Sequence, residues 1–108
     1  MKVEFEKKPG LLTARLSGEI DHHTSRQIRK DIDDRLIECG AKTLELDFMA
    51  VSFMDSSGIG LVMGRYKLMS SLGGEIVVIN TSPQIAKVMK LAGLSRIVTL
   101  QAKASEAD

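Results

Sequence analysis

The sequence is short of most things that chemistry is made from. It has one cysteine, Cys39. A lone cysteine closes no internal disulfide, which points to a reducing compartment. Its two histidines, His22 and His23, are neighbours. Adjacent side chains do not share a face of a helix or strand, so a paired metal site is not expected and the two read as loop or helix-entry residues. Aromatics are limited to Phe5, Phe48, Phe53 and Tyr66, too few for platforms that stack single-stranded nucleic acid. Fifteen Lys and Arg against fourteen Asp and Glu leave a formal charge of +1. No basic run is longer than two residues, apart from the dispersed Arg26, Arg29 and Lys30. Phosphate-backbone binding needs a clustered basic face, so nucleic acid is not expected as a partner. No apolar run approaches the roughly 20 residues that span a bilayer, and the opening residues Val3 to Lys8 alternate apolar with charged instead of forming a signal peptide. A cytoplasmic protein without membrane partners is the expectation.

What remains is an ordinary globular composition, 44% hydrophobic and 27% charged over 108 residues, enough for one domain with one core. There are no repeats and no linker. Val3, Phe5 and Lys7 alternate with Glu4 and Glu6, then Pro9-Gly10 supplies a turn, and Leu12, Ala14 and Leu16 alternate again. These read as an antiparallel hairpin. Gly18 ends the second strand, and Glu19, Ile20 and Asp21 form a loop. Thr24 and Gln27 have capping-box spacing and start a helix near Ser25. Ile28, Ile32, Leu36 and Cys39 give it an apolar face, and Gly40 closes it. Leu44, Leu46 and Phe48 form the next strand, and a short connection leads to a helix running to about Leu72. Ile76 to Ile79 is a β-branched run of the kind covered on both faces. Ser82-Pro83 starts a third helix, with Ile85, Val88, Met89 and Ala92 inward and Gly93 as its stop. Ile97 to Leu100 is a last strand, and Ala102 to Asp108 a polar tail that frays or turns briefly helical. The order is β-β-α-β-α-β-α-β, a single α/β domain with an ordered core of about residues 2 to 101. Its mixed sheet has an N-terminal antiparallel hairpin and helices packed on it. No long apolar edge or heptad seam stands out, so a monomer is expected.

Catalytic signatures are missing: no phosphate-binding Walker loop, nucleophile elbow or paired carboxylates. Gly58-Ile59-Gly60 is only half of a dinucleotide fingerprint, without the third glycine or the later acidic residue. No cofactor is expected. The informative segment is Phe53 to Arg65. A strand is followed by Asp55, Ser56, Ser57 and Gly58, then a helix. A helix N-terminus carries free N–H groups and about half a positive charge, which suits a bound or attached phosphate. Asp55 or Ser56 as a plain cap, worth about 1 kcal/mol, is the simpler reading. Capping alone leaves Gly58 and Gly60 unexplained, since each costs about 1 kcal/mol inside a helix relative to alanine. Two options remain open: a close approach by a partner, or by the protein's own sheet. The helix also carries two apolar stripes, Ile59, Val62, Met63, Tyr66 and Met69 on one side and Leu61, Leu68 and Leu72 on the other. One must face the sheet; the other packs on a neighbouring helix or forms a docking surface beside Ser56.

Three stretches together carry a resemblance: Gly18-Glu19-Ile20-Asp21-His22-His23-Thr24, Ser52-Phe53-Met54-Asp55-Ser56-Ser57-Gly58-Ile59-Gly60, and Gly64-Arg65-Tyr66-Lys67, with Gly73-Gly74-Glu75 and Ser82-Pro83 agreeing. On these the chain resembles the anti-sigma factor antagonists of the STAS domain group, over nearly its whole length and especially the sporulation type. The resemblance implies a small α/β fold and a binding protein, not an enzyme. It implies that Ser56 is phosphorylated by an anti-sigma factor that is also a serine kinase. The unmodified form would bind that kinase and release a sporulation sigma factor of the sigma-F type, and a PPM-type serine phosphatase would reset it. The implied partner surface is Asp21, His22, His23 and Thr24 from one segment and Asp55, Ser56, Ser57, Gly58, Ile59, Gly60 and Leu61 from the other. Ser57 remains a rival acceptor. A stress-response antagonist of the same group and a STAS accessory subunit of a lipid or anion transporter are the alternatives. A phosphoryl group adds about −1.5 to −2 charges, so beside Asp21 and Asp55 it is expected to exclude a partner by charge and bulk, with little change of fold.

Overall fold

The computed structural model describes residues 2–103. Five strands form one sheet in sequence order, β1 (Lys2–Lys8), β2 (Leu11–Ile20), β3 (Thr43–Met54), β4 (Glu75–Thr81) and β5 (Thr99–Ala102). The hairpin β1–β2 is antiparallel, with Phe5 opposite Ala14. Every later pairing is parallel. The crossovers are helices, α1 (His22–Cys39), α2 (Ser56–Ser71) and α3 (Pro83–Leu91), with a short 3-10 turn at Leu94–Arg96. This is the expected order and the expected mixed sheet.

Strand alternation sets the layers. Leu12, Ala14, Leu16, Leu44, Leu46, Phe48, Ile76 and Val78 point to one face and are almost wholly buried. Ile28, Ile32 and Leu36 of α1 and Leu61, Val62 and Met69 of α2 complete that core. The other face carries polar pairs. Thr13 Oγ1 donates to Glu45 Oε1 at 2.9 Å, Arg15 pairs with Glu6 and lies 3.7 Å from Asp47, and Asn80 Nδ2 donates to Asp47 at 3.0 Å. The β-branched run of β4 is therefore covered on one face only: Ile76 and Val78 are buried, Val77 and Ile79 half-buried.

Several boundaries differ from the sequence reading. β2 does not stop at Gly18 but runs to Ile20, because register shifts at Arg15/Ser17 and Gly18/Glu19 let it stay paired with β3. Gly18 has φ 89°, a left-handed value that favours glycine. β3 is continuous to Met54, with Phe53 opposite Glu19 and Met54 opposite Ile20; there is no separate connection after Phe48. α1 starts at His22, capped by Asp21 and not by Thr24. In α3 only Ile85 and Met89 are buried, while Val88 and Ala92 are exposed. The last strand begins at Thr99 and not at Ile97, because the 3-10 turn occupies the chain after Gly93. Ala102 closes β5, and residues 104–108 of the expected tail lie outside the described residues. Gly40 does close α1 at φ 62°, its N–H donating to the Leu36 carbonyl. The helix-two stripes also resolve differently. Gly58, Leu61, Val62, Arg65 and Met69 form the buried line; Ile59, Met63, Tyr66 and Leu68 are partly buried beside it, and Leu72 is exposed.

Candidate phosphoacceptor and docking site

Parallel β2 and β3 end together, Ile20 opposite Met54, and each runs straight into a helix through one aspartate. The Asp55 N–H donates to the Ile20 carbonyl at 3.1 Å. Two helix N-termini with their free N–H groups thus sit side by side at the C-terminal ends of two neighbouring inner strands.

Both caps use their carboxylates in extended backbone. Asp21 Oδ1 accepts from the N–H groups of His23 and Thr24, each at 2.9 Å. Thr24 reciprocates, its Oγ1 accepting from the Asp21 N–H at 2.9 Å. This is a capping box one turn earlier than the Thr24/Gln27 spacing suggested. The Thr24 backbone hydrogen bond above all holds the Asp21 carboxyl below the usual aspartate range. Asp55 Oδ1 accepts from the Ser57 N–H at 2.8 Å and also from the Ser57 hydroxyl.

That second contact separates the two serines. Ser57 is half-buried with its hydroxyl engaged by Asp55. Ser56, the first residue of α2, is exposed. The two glycines also part company. A Cβ on Gly58 would overlap the Met54 side chain and touch Ile20, so Gly58 is there for the protein's own core. A Cβ on Gly60 would meet nothing within 4 Å. Its missing side chain leaves open surface, and no internal packing demands it.

Of the residues the sequence singled out, His22, His23, Ser56 and Gly60 are exposed around the paired N-termini. The histidine rings meet edge to face, centroids 5.9 Å apart. Asp21, Thr24, Asp55, Ser57 and Ile59 are half-buried beside them. Gly58 and Leu61 are buried and belong to the core. Among the described residues no group of three or more His, Cys, Asp or Glu side chains is placed to hold a metal ion, and no helix is long and apolar enough to cross a membrane.

Three features escaped the sequence reading. Phe53 is half exposed at the end of β3, three residues before Ser56. Arg65, charged and on the inner line of α2, is 6% exposed and lies 2.9 Å from Asp33 of α1. Burial pushes its guanidinium below the usual arginine range, against the pull of Asp33. Arg26 and Arg29, three apart on α1, face a groove whose other wall includes Ser57 and Gly60. Their helical spacing was the available signal.

The sequence profile of the STAS domain family matches residues 2–107. The anti-sigma F factor antagonist of Paenibacillus polymyxa is 37% identical over 100 residues, covering 93% of this chain and 86% of that protein. The anti-sigma-B factor antagonist of Bacillus subtilis is 28% identical over 103 residues, covering 95% and 93%. Among solved structures, the unphosphorylated form of the anti-sigma factor antagonist SpoIIAA superposes with a TM-score of 0.81 at 34% identity, covering 98% of this chain and 92% of that one. Bacillus SpoIIAA in its phosphorylated form gives 0.74 at 34% identity, covering 98% and 96%. With its two aspartate-capped helix starts at one end of the sheet and the family profile matched over residues 2–107, the chain is a STAS domain and belongs with the anti-sigma factor antagonists.

Proposed function

We propose that this chain is a phosphorylation-switched antagonist of an anti-sigma factor, acting by binding and not by catalysis. The observation that carries this reading is the division of labour at the start of α2, where Ser57 is tied to Asp55 and Ser56 is exposed at the helix N-terminus. An exposed hydroxyl there is accessible to a kinase, and the helix N-terminus accommodates the phosphate that results. The identity to anti-sigma F factor antagonists favours the sporulation branch.

In this reading the unmodified surface around His22, His23, Ser56 and Gly60 docks on an anti-sigma factor serine kinase in the cytoplasm, and the kinase releases its sigma factor of the sigma-F type. Ser56 Oγ then attacks the γ-phosphorus of ATP held by the kinase. The new O–P bond forms as the bond to the β-phosphate oxygen breaks, ADP leaves, and the serine proton passes to a base of the kinase. The phosphoryl group adds about −1.5 to −2 charges beside Asp21 and Asp55, and the docked state is lost to charge and bulk without refolding. A PPM-type serine phosphatase restores the hydroxyl. The chain acts as a monomer and needs no cofactor. The relative from the sigma-B system, with 28% identity, makes a stress-response antagonist the second reading.

Calorimetric titration of the chain, unmodified and phosphorylated, into sporulation and stress-response anti-sigma kinases tests the proposal. Tight binding of the unmodified form to the sporulation kinase, and at least a hundredfold weaker binding after phosphorylation, is expected. Equal binding of both forms refutes the switch, and preference for the stress kinase selects the second reading.

A further inference from the structure

Phosphorylation at an exposed helix start adds charge, and where that charge rests is set by the groove beside it. Arg26 and Arg29 of α1 line this groove together with Ser25 of α1 and Ser57, Gly60 and Leu61 of α2. The same two arginines line the next groove along α1, with Lys30, Asp33 and Asp34. The carboxylates of that second groove are engaged, Asp34 with Lys30 at 2.8 Å and Asp33 with buried Arg65 at 2.9 Å. Among the described residues neither Arg26 nor Arg29 is in an ion pair. Arg65 lines neither groove, and its charge is already matched by Asp33. The groove between α1 and α2 therefore holds two arginines outside any ion pair, and it is lined also by Gly60 and by Ser57, the chain neighbour of Ser56.

We propose that this groove is an anion site whose occupant is the phosphoryl group carried by Ser56 of the same chain, held by Arg26 and Arg29. The inference rests on Ser56 as the modified residue. Guanidinium forks match phosphate oxygens bidentately, and such charge-assisted bonds are stronger than neutral ones. Gly60, one turn along α2 from Ser56, puts no side chain into this groove, and a Cβ there would meet nothing within 4 Å. The other charged and titratable groups nearby are the caps Asp21 and Asp55, both of which oppose the phosphate, and His22 and His23 on the first turn of α1. Seating the phosphate across α1 and α2 covers Gly60 and locks the docking surface closed, adding a specific contact to plain repulsion.

The test places phosphoserine at position 56 by genetic encoding and follows the second ionisation of its phosphoryl group by phosphorus NMR at low salt. The otherwise native chain is compared with Arg26→Gln/Arg29→Gln and with Lys87→Gln/Lys90→Gln, which removes the same charge from distant α3. An opposite charge in contact lowers such a pKa by about 1 unit or more. The native and lysine-variant chains are therefore expected to ionise about tenfold more readily than the arginine variant, the gap shrinking as salt is added. The same ionisation in all three chains overturns the proposal, and so does an equal change in both double variants. Because no kinase is used, failure of a kinase to modify Ser56 would sink the switching reading without deciding this test.

Discussion

Gly58 and Gly60 lie two residues apart on one helix, yet replacing each by alanine should move stability in opposite directions. At Gly60 an added methyl meets nothing within 4 Å. The variant gains helix propensity of about 0.8–1.0 kcal/mol. For a domain of 108 residues that raises the melting temperature by about 4 °C. At Gly58 the new Cβ falls on Cγ and Sδ of Met54, atoms too near the backbone to swing clear cheaply. Overpacking a filled core costs about 1–3 kcal/mol. Gly58 is the third residue of α2, where the propensity gain is smaller than in mid-helix, so the net effect is a loss of about 1–2 kcal/mol. Urea unfolding reads both as shifts in midpoint at constant slope. Gly60→Ala should nonetheless bind the anti-sigma partner more weakly, because its methyl stands on the docking surface. A Gly58→Ala chain as stable as Gly60→Ala would refute the assignment of Gly58 to internal packing. A Gly60→Ala chain with unchanged affinity would remove Gly60 from the interface.

The pair Arg65–Asp33 supports two further expectations. Asp33→Asn leaves the buried guanidinium without its carboxylate and should cost about 1–3 kcal/mol in urea unfolding, less than for a fully buried pair because Asp33 is 28% exposed. Asp33→Asn/Arg65→Met should recover most of that loss, since a matched apolar replacement of a buried pair is often neutral. For Asp21 the folded carboxyl sits below its ordinary range. Its stabilising share is thus present above the unfolded value of about 3.9 and is lost as pH falls through the lower folded value. The stability difference between the native chain and Asp21→Asn should be flat above about pH 5 and change only under acid, as read by unfolding midpoints across pH. A difference that changes instead near neutral pH would overturn the assignment to the Asp21 carboxyl.

The element order was legible because each helix and strand carries its own period, and because Gly40, Gly93 and Ser82-Pro83 punctuate the chain with unambiguous chemistry. The boundaries near the site were not, and for a shared reason. β2 and β3 keep pairing past Leu16 and Phe48 only through register shifts, which break the two-residue alternation that marks a strand. Asp21 looked like a loop residue because Thr24 offered a plausible cap three residues on; both take part in one box, with the carboxylate as the cap. Ser56 and Ser57 are chemically equal in sequence and differ only once Asp55 claims one hydroxyl. Arg65 was hidden because a charged residue on an inner helix line contradicts the apolar period, and its compensation, Asp33, is 32 residues away on another helix.

The central claim is that Ser56, and not Ser57, takes the phosphate. Intact-mass analysis after incubation with a sporulation anti-sigma kinase and ATP tests it most directly, run beside Ser56→Ala and Ser57→Ala. A single added phosphate on the native chain and on Ser57→Ala, with none on Ser56→Ala, is the predicted result. Phosphate retained on Ser56→Ala, or absent from every chain while the kinase modifies a control substrate, would contradict it.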